Sequence, residues 1–213
     1  MGAFSGGLQF RTYRVERSLP ASWQRRFLKK IEEHLAEEID PEGEEEQRVG
    51  WCNPRAPFDT RLNEEKVIFG DALVLGFRLD RLTVPSALLR LHCEREAARV
   101  AQAMKKESLS RYELAEIREA IAKRLRRRAL PSVKSVEMVL QSDTGVLRFF
   151  STSKGMNELF VSLFEESFSL LLIPDTVYTL ARGVLPLSEV ERGALERVEA
   201  CSFSGEAHAS AET

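Results

Sequence analysis

The stretch PSALLRLHCEREAARVAQAMKKESLSRYELAEIREAIAKRLRRRALPSVK, residues 85–134, contains two helical patterns and is the most basic part of the chain. It has thirteen Lys and Arg and six Asp and Glu residues, a local charge of +7, whereas the whole chain has a formal net charge of −2. The densest run is Lys123-Arg124-Leu125-Arg126-Arg127-Arg128. A local positive field in a near-neutral protein indicates a polyanionic partner, most often nucleic acid.

The second helical pattern in this stretch has clear start and stop signals. Ser110 and Glu113 have the spacing of a capping box, in which each side chain bonds the backbone N–H of the other residue. An apolar stripe then recurs at helical spacing, and its members are Leu114, Ile117, Ile121 and Leu125. Pro131 ends the helix. The first helix begins near Pro85, and the short join between the two helices predicts an antiparallel hairpin over residues 85–130.

The cations of this hairpin and of the following strand are the candidate phosphate contacts. They are Lys105, Lys106, Arg111, Arg118, Lys123, Arg124, Arg126, Arg127, Arg128 and Lys134. A structural explanation stands beside this one, because Lys and Arg are good helix formers and favour helix C-termini. A third interpretation is that the hairpin is a dimerisation or partner-docking arm whose arginines pair with acidic blocks such as residues 44–46 of a second copy.

The sequence before the hairpin predicts one helix packed on strands. Residues 8–16 alternate as a strand does. A helix begins at Leu19-Pro20, with an apolar stripe that runs from Trp23 to Ile39, and ends at residues 40–43. Residues 48–54 form a short strand, and residues 67–82 form a long strand signal with a tight turn at Gly70-Asp71.

The sequence after the hairpin repeats this composition in another order. Residues 133–141 and 146–152 predict two strands joined by a turn, residues 156–164 an amphipathic helix, and residues 170–173 a short strand. The fold class is therefore α+β, with antiparallel sheets and one packed helix in each half (β-α-β-β and β-β-α-β), and the basic helical hairpin is inserted between the halves. We predict a single α+β domain over residues 8–183 and an acidic, partly disordered tail over residues 184–213. Within this tail, residues 189–198 have a helical pattern, and residues 202–213 are the part expected to be disordered.

Several functional classes are excluded by composition and spacing. The chain has no apolar run of about 18 residues, so we expect no membrane-spanning helix and no membrane partner. Its N-terminus lacks the features of a signal peptide. Cys52, Cys93 and Cys201 are too scattered for a disulfide framework or a metal site, so we expect a cytoplasmic protein without cofactors. An acidic block lies between Glu32 and Glu46.

The order and spacing of several short segments resemble the RdgC family of bacterial recombination-associated DNA-binding proteins. The matching segments are Phe10-Arg11-Thr12-Tyr13-Arg14-Val15, Val49-Gly50-Trp51-Cys52-Asn53-Pro54, Leu82-Thr83-Val84-Pro85-Ser86, Ala129-Leu130-Pro131-Ser132, Ser142-Asp143-Thr144-Gly145-Val146-Leu147 and Leu172-Ile173-Pro174. The likeness covers residues 8 to 183 and includes the charged hairpin between the same two strands. It is similar to a shortened form that lacks the C-terminal half of the family.

This resemblance implies a sequence-nonspecific DNA-binding protein that coats duplex DNA, modulates recombination or replication and limits the access of a RecA-type recombinase. It also implies a homodimer, with a cytoplasmic, nucleoid-associated location. Single-stranded DNA is a further candidate partner. The basic residues of the family carry over to the hairpin as a region and not position by position.

We do not expect an enzyme, although members of the family are sometimes described as exonucleases. Metal-dependent phosphodiester cleavage needs several carboxylates that converge on the metal ions. The candidates here are Asp59, Asp71, Asp80, Glu137, Asp143 and Asp175, which form no recognisable metal-binding motif. Trp51 could stack on a base, but a core position is the stronger interpretation.

Overall fold

The computed structural model describes residues 2, 4, 8–16, 19–20, 22–43, 45–184 and 187–197. The strands are β1 (Arg11–Val15), β2 (Gln47–Cys52), β3 (Ile68–Phe69), β4 (Ala72–Arg81), β5 (Ser132–Gln141), β6 (Val146–Phe149) and β7 (Leu172–Pro174). The helices are α1 (Trp23–Glu32), α2 (Glu64–Val67), α3 (Ser86–Ala103), α4 (Arg111–Arg126), α5 (Lys154–Phe168), α6 (Val177–Val184) and α7 (Glu189–Glu196). The chain divides into two compact units, Met1–Ile173 and Pro174–Thr213.

The described strands form one seven-stranded sheet in the order β2-β4-β5-β6-β1-β7, with β3 paired to β4. Neighbouring strands from β2 to β1 pair antiparallel. The α+β class with antiparallel strands is therefore confirmed, as a single sheet. Because β4 and β5 are adjacent and Arg81 pairs with Ser132, helices α3 and α4 are inserted into the connection of a β-hairpin.

One face of this sheet packs against α1 and α5. The rings of Phe149 on β6 and Phe160 on α5 stack with centroids 4.0 Å apart, and Phe27 of α1 stacks on Phe168 of α5 at 4.4 Å. Trp51 on β2 is fully buried in this core and donates its indole N–H to the Ser167 hydroxyl at 2.8 Å. The core interpretation of Trp51 is confirmed, because a buried indole finds its polar partner within the protein.

The opposite face of the sheet carries a buried ion pair. The guanidinium of Arg78 donates from Nε to Oδ1 of Asp80 at 2.7 Å, and the two residues are 3% and 1% exposed. The Phe58 ring lies 4.7 Å from Cζ of Arg78. Asp80 therefore serves a structural pair, since a buried charge is stabilised only when it is matched and hydrogen-bonded.

Helix α1 ends earlier than the sequence predicted. The apolar stripe indicated a helix as far as Ile39, but α1 ends at Glu32. The backbone of residues 34–36 instead bonds the edge of the sheet, since Trp51 N–H donates to the His34 carbonyl at 2.9 Å and Ala36 N–H donates to the Trp51 carbonyl at 2.8 Å. Gly50 permits this approach, because a Cβ there would lie 2.5 Å from Cα of Ala36. Long-range hydrogen bonds have replaced the last helical turn.

Two further elements differ from the sequence prediction. Val67 was assigned to a strand, but residues Glu64–Val67 form the short helix α2, whose first turn is capped by the Asn63 side chain at the Lys66 N–H. Helix α6 was not predicted, whereas α7 matches the helix expected at residues 189–198. The predicted disordered tail, residues 202–213, lies outside the described residues.

Candidate nucleic-acid interface

Helices α3 and α4 form an arm that packs mainly on itself. None of the 18 residues of α3 is buried, and Ile121 is the one buried residue of α4. Apolar side chains remain open to solvent along the arm, including Leu91 at 57% exposure and Tyr112 at 74%. The arm therefore offers a large accessible surface where the chain passes from β4 to β5.

The start of α4 is held by the predicted capping box. Ser110 Oγ accepts from the Glu113 N–H at 3.3 Å, and Glu113 Oε2 accepts from the Ser110 N–H at 2.8 Å. Lys106 donates to the other Glu113 oxygen at 2.6 Å, and this bond together with the Ser110 N–H lowers the pKa of Glu113 to about 2. Lys106 is thus engaged within the arm, as well as being a candidate phosphate contact.

The turn after α3 places Lys105 in an unusual backbone conformation. Its φ is 53°, and its N–H donates to the Gln102 carbonyl while the Lys106 N–H donates to the Ala101 carbonyl. This is the Schellman arrangement that ends many helices, usually with glycine at the left-handed position. The side chain of Lys105 consequently projects at the exposed tip of the arm.

The ten predicted phosphate contacts are accessible but do not share one face. All are exposed except Arg126, which is half-buried. Arg111 and Arg118 border a groove between α3 and α4. Lys123 and Arg126 border a second cleft, of about 470 Å³, at the base of the arm. Lys134 lies on β5 opposite Leu79. The ten cations therefore lie on several sides of the arm and on β5, and they do not form a single stripe.

The acidic block contacts the end of the basic run. Arg127 Nε lies 3.4 Å from Oε1 of Glu42, and Arg126 donates from Nη2 to the Glu45 backbone carbonyl. Nε of Arg126 is buried without a hydrogen-bond partner among the described residues. Glu44, which was a candidate partner in a second copy, lies outside the described residues. The Glu42 carboxylate thus places negative charge beside Arg127, and the Glu45 carbonyl occupies a donor of Arg126.

Helix α1 presents a second basic surface that the sequence interpretation missed. Trp23, Phe27 and Ile31 face the core. Four cations point outward at the remaining positions: Arg25, Arg26, Lys29 and Lys30. Lys30 pairs with Glu33 at 2.8 Å, which lowers the pKa of Glu33. The sequence contains this surface as RRFLKK, residues 25–30. A pair of cations lies on each side of Phe27-Leu28 within the apolar stripe.

Two of the carboxylates that were considered as metal ligands serve structural contacts instead. Asp80 pairs with Arg78, and Asp59 accepts from Lys66 at 2.7 Å and from the Asn53 amide, which together lower the pKa of Asp59 to about 2. Within the described ranges, no group of three or more His, Cys, Asp and Glu residues could hold a metal ion. Cys52 is buried, and burial raises the pKa of its thiol to about 11.

Two comparisons with known proteins bear on this surface. A family model described as "Putative exonuclease, RdgC" matches residues 9–180 of the chain. A search of the curated proteins gives no match. The family match includes the sheet, helices α1 and α5 and the whole basic arm. In the part of the chain that the structure describes, no helix has the length and apolar composition needed to cross a membrane.

Proposed function

This chain belongs to the RdgC family, and from that premise and its basic arm we propose that it binds DNA without sequence preference, coats duplex DNA and limits the access of a recombinase. The proposal extends to a role in recombination or replication and to a nucleoid-associated location. Membership of the family and the positive charge of the arm together support DNA as the partner. The coating of duplex DNA and the effect on a recombinase are what the resemblance to the family implies.

The single observation that carries the proposal is the exposed positive charge of the arm. Residues 85–134 have a local charge of +7, and nine of the ten candidate cations have exposed side chains. Because Ile121 is the one buried residue of α3 and α4, most of the surface of the arm is accessible to a partner. Lys and Arg side chains at such positions neutralise phosphates and release counterions.

The arm is suited to the DNA backbone and not to base edges. Reading of base edges needs a row of side chains on one face of an element that enters a DNA groove. The cations of the arm lie on several sides of α4 and do not form such a row. Phosphate contacts position a protein on DNA but carry no sequence information. We therefore expect similar affinity for duplexes of different sequence.

The test is fluorescence anisotropy on labelled duplex and single-stranded DNA across a salt series with EDTA present. The logarithm of affinity should fall with the logarithm of salt concentration, with a slope of about −0.9 per phosphate neutralised on a duplex. Replacing Lys123, Arg124, Arg127 and Arg128 together by Gln should flatten this slope.

The matched control removes the same number of charges from the other basic surface. It replaces Arg25, Arg26, Lys29 and Lys30 of α1 by Gln, all of which are exposed. If the arm is the contact surface, the slope becomes flatter in the arm variant and stays unchanged in the α1 variant. The reverse result would move the interface to α1, and an unchanged slope in both variants would refute the proposal.

The functional consequence can be measured in a strand-exchange reaction with a RecA-type recombinase. We expect the protein to slow the formation of joint molecules and the arm variant to have lost this effect.

The same protein, incubated with end-labelled DNA and magnesium or manganese, tests the exonuclease alternative. Release of labelled nucleotides that EDTA abolishes would favour that alternative. The proposed homodimer is tested by light scattering with and without DNA.

A further inference from the structure

A groove runs along one side of the arm, between α3 and α4. Its volume is about 410 Å³. The floor is apolar and comprises Leu89, Cys93, Ala97, Leu114 and Ile117. Leu114 is 45% exposed although it belongs to the apolar stripe of α4. The two helices therefore leave part of their apolar surface uncovered along this side.

The uncovered surface follows from the number of helices in the arm. Two packed helices bury only the seam between them. Helix α3 is about 27 Å long at 1.5 Å per residue. None of its residues is buried. A third helix in the groove would complete a three-helix arrangement and cover the floor. Along α3 the lining extends from Ser86 to Ala97, about 16 Å or three helical turns.

The rim of the groove is positively charged. Arg90 on α3 and Arg111 and Arg118 on α4 border it, with Glu94 as the one acidic residue in the lining. Glu94 is already paired with Arg90 at 3.7 Å. Among the described residues, neither Arg111 nor Arg118 forms a salt bridge. An occupant of this groove would therefore meet two arginines that lack an acidic partner.

The geometry points to this groove as a docking site for an acidic amphipathic helix of a partner protein. Apolar side chains spaced by three and four residues would fill the floor, and flanking carboxylates would pair with Arg111 and Arg118, as in other helix-in-groove complexes. The floor has few groups that could bond a phosphate, so a duplex would leave it empty. The inference does not depend on DNA binding, but DNA bound to Arg111 or Arg118 would compete with the helix.

Cys93 in the floor provides a reporter for occupancy of the groove. Its thiol is partly accessible, whereas Cys52 is buried with a pKa of about 11 and should react slowly. Substitution Cys201→Ser leaves Cys93 as the reactive thiol. The probe is a synthetic helical peptide of about three turns, with leucines along one face and glutamates beside them. A matched peptide carries lysine in place of each glutamate.

The measurement is the rate of Cys93 alkylation in the full chain with increasing peptide. At a peptide concentration ten times its dissociation constant, we expect the acidic peptide to slow alkylation about tenfold. The lysine peptide should give little protection. Replacing Arg111 and Arg118 together by Gln should weaken binding of the acidic peptide about five- to tenfold. Protection is measured relative to the peptide-free rate of the same variant, because nearby arginines also affect the reactivity of the thiol. A control thiol outside the groove, Gln102→Cys in a Cys93→Ala background, should be unaffected.

Four outcomes would overturn the inference. They are the absence of protection by the acidic peptide, equal protection by both peptides, protection by duplex DNA in place of peptide, and a Cys93 rate that falls with protein concentration alone. The third outcome would assign the groove to DNA and the fourth to a second copy of the chain. Failure of DNA binding in the anisotropy assay would leave the peptide result unaffected, so the two proposals fail separately.

Discussion

Nε of Arg127 lies 3.4 Å from Oε1 of Glu42, so the acidic block of this protein contacts the end of its most basic helix. The neighbouring Arg126 donates to the Glu45 carbonyl, which means that two consecutive arginines face the same loop. Both partners in the Arg127–Glu42 pair are largely exposed. An incoming phosphate would therefore compete with Glu42 for Arg127.

Removal of the Glu42 charge should strengthen DNA binding. We expect Glu42→Gln to raise duplex affinity about two- to fivefold at low salt, the range of a single exposed ion pair. Glu65→Gln is the matched control, because it removes the same charge from an exposed position of α2. Anisotropy titrations at one salt concentration distinguish a local effect from a change in net charge. An equal gain in both variants would contradict the competition.

The capping box of α4 should be sensitive to acid. The pKa of Glu113 is about 2, below its ordinary value, because Lys106 and the Ser110 N–H both bind its carboxylate. Because this pKa is lower in the folded than in the unfolded chain, the ionised Glu113 stabilises the folded arm. The stabilisation is fully present above the unfolded-state pKa and is lost as the pH falls toward the folded-state pKa of about 2. We expect the hydrogen-exchange protection factors of the first-turn amides of α4, which are corrected for the pH dependence of intrinsic exchange, to decrease as the pH drops below about 4.5.

Glu113→Gln separates the charge from the hydrogen bond. Glutamine can still cap the helix, so the variant should keep α4 folded but lose most of this pH dependence. Glu116→Gln, an exposed substitution in the same helix, serves as the control and should leave the pH dependence intact. Identical pH profiles for wild type and Glu113→Gln would show that other groups control the acid response.

The end of α5 offers a stabilising substitution. Ser169 has φ of 55° at the C-cap, and its N–H donates to the Glu165 carbonyl. Because a left-handed conformation costs an ordinary residue about 1–2 kcal/mol and glycine little, Ser169→Gly should raise the free energy of unfolding by about 1 kcal/mol. Ser162→Gly at an exposed interior position of α5 should lower it by about 0.5 kcal/mol. Denaturant titration of both variants tests the opposite signs.

The hydrogen bond between Trp51 and Ser167 should be required for stability. Both residues are fully buried, and Ser167→Ala leaves the indole N–H without its partner. We expect the free energy of unfolding to fall by about 1–3 kcal/mol, the cost of an unsatisfied buried donor. Ser162→Ala, on the exposed side of the same helix, should change stability by less than about 0.5 kcal/mol. A loss within that smaller range for Ser167→Ala would mean that water replaces the hydroxyl.

The sequence by itself determined those features whose signals lie within a few residues. The capping box at Ser110 and Glu113, the long strand β4 and the helix α5 follow from local hydrogen bonding and side-chain period. The basic arm between two sets of strands was also recognisable from its charge and spacing. Their signals could be recognised from the sequence because side-chain period and capping residues lie within one element, although β4 and α5 are held in place by partners that are distant in sequence.

Only the tertiary structure decided how these elements meet. Residues 34–36 leave the helical pattern because their backbone bonds that of Trp51 at the edge of the sheet. Trp51 is 15 or more residues away in sequence, so local periodicity could not reveal this contact. The same holds for the contact between Glu42 and Arg127, and for the order of the strands. Local periodicity carries no record of such long-range hydrogen bonds and ion pairs, which form only once the sheet is assembled.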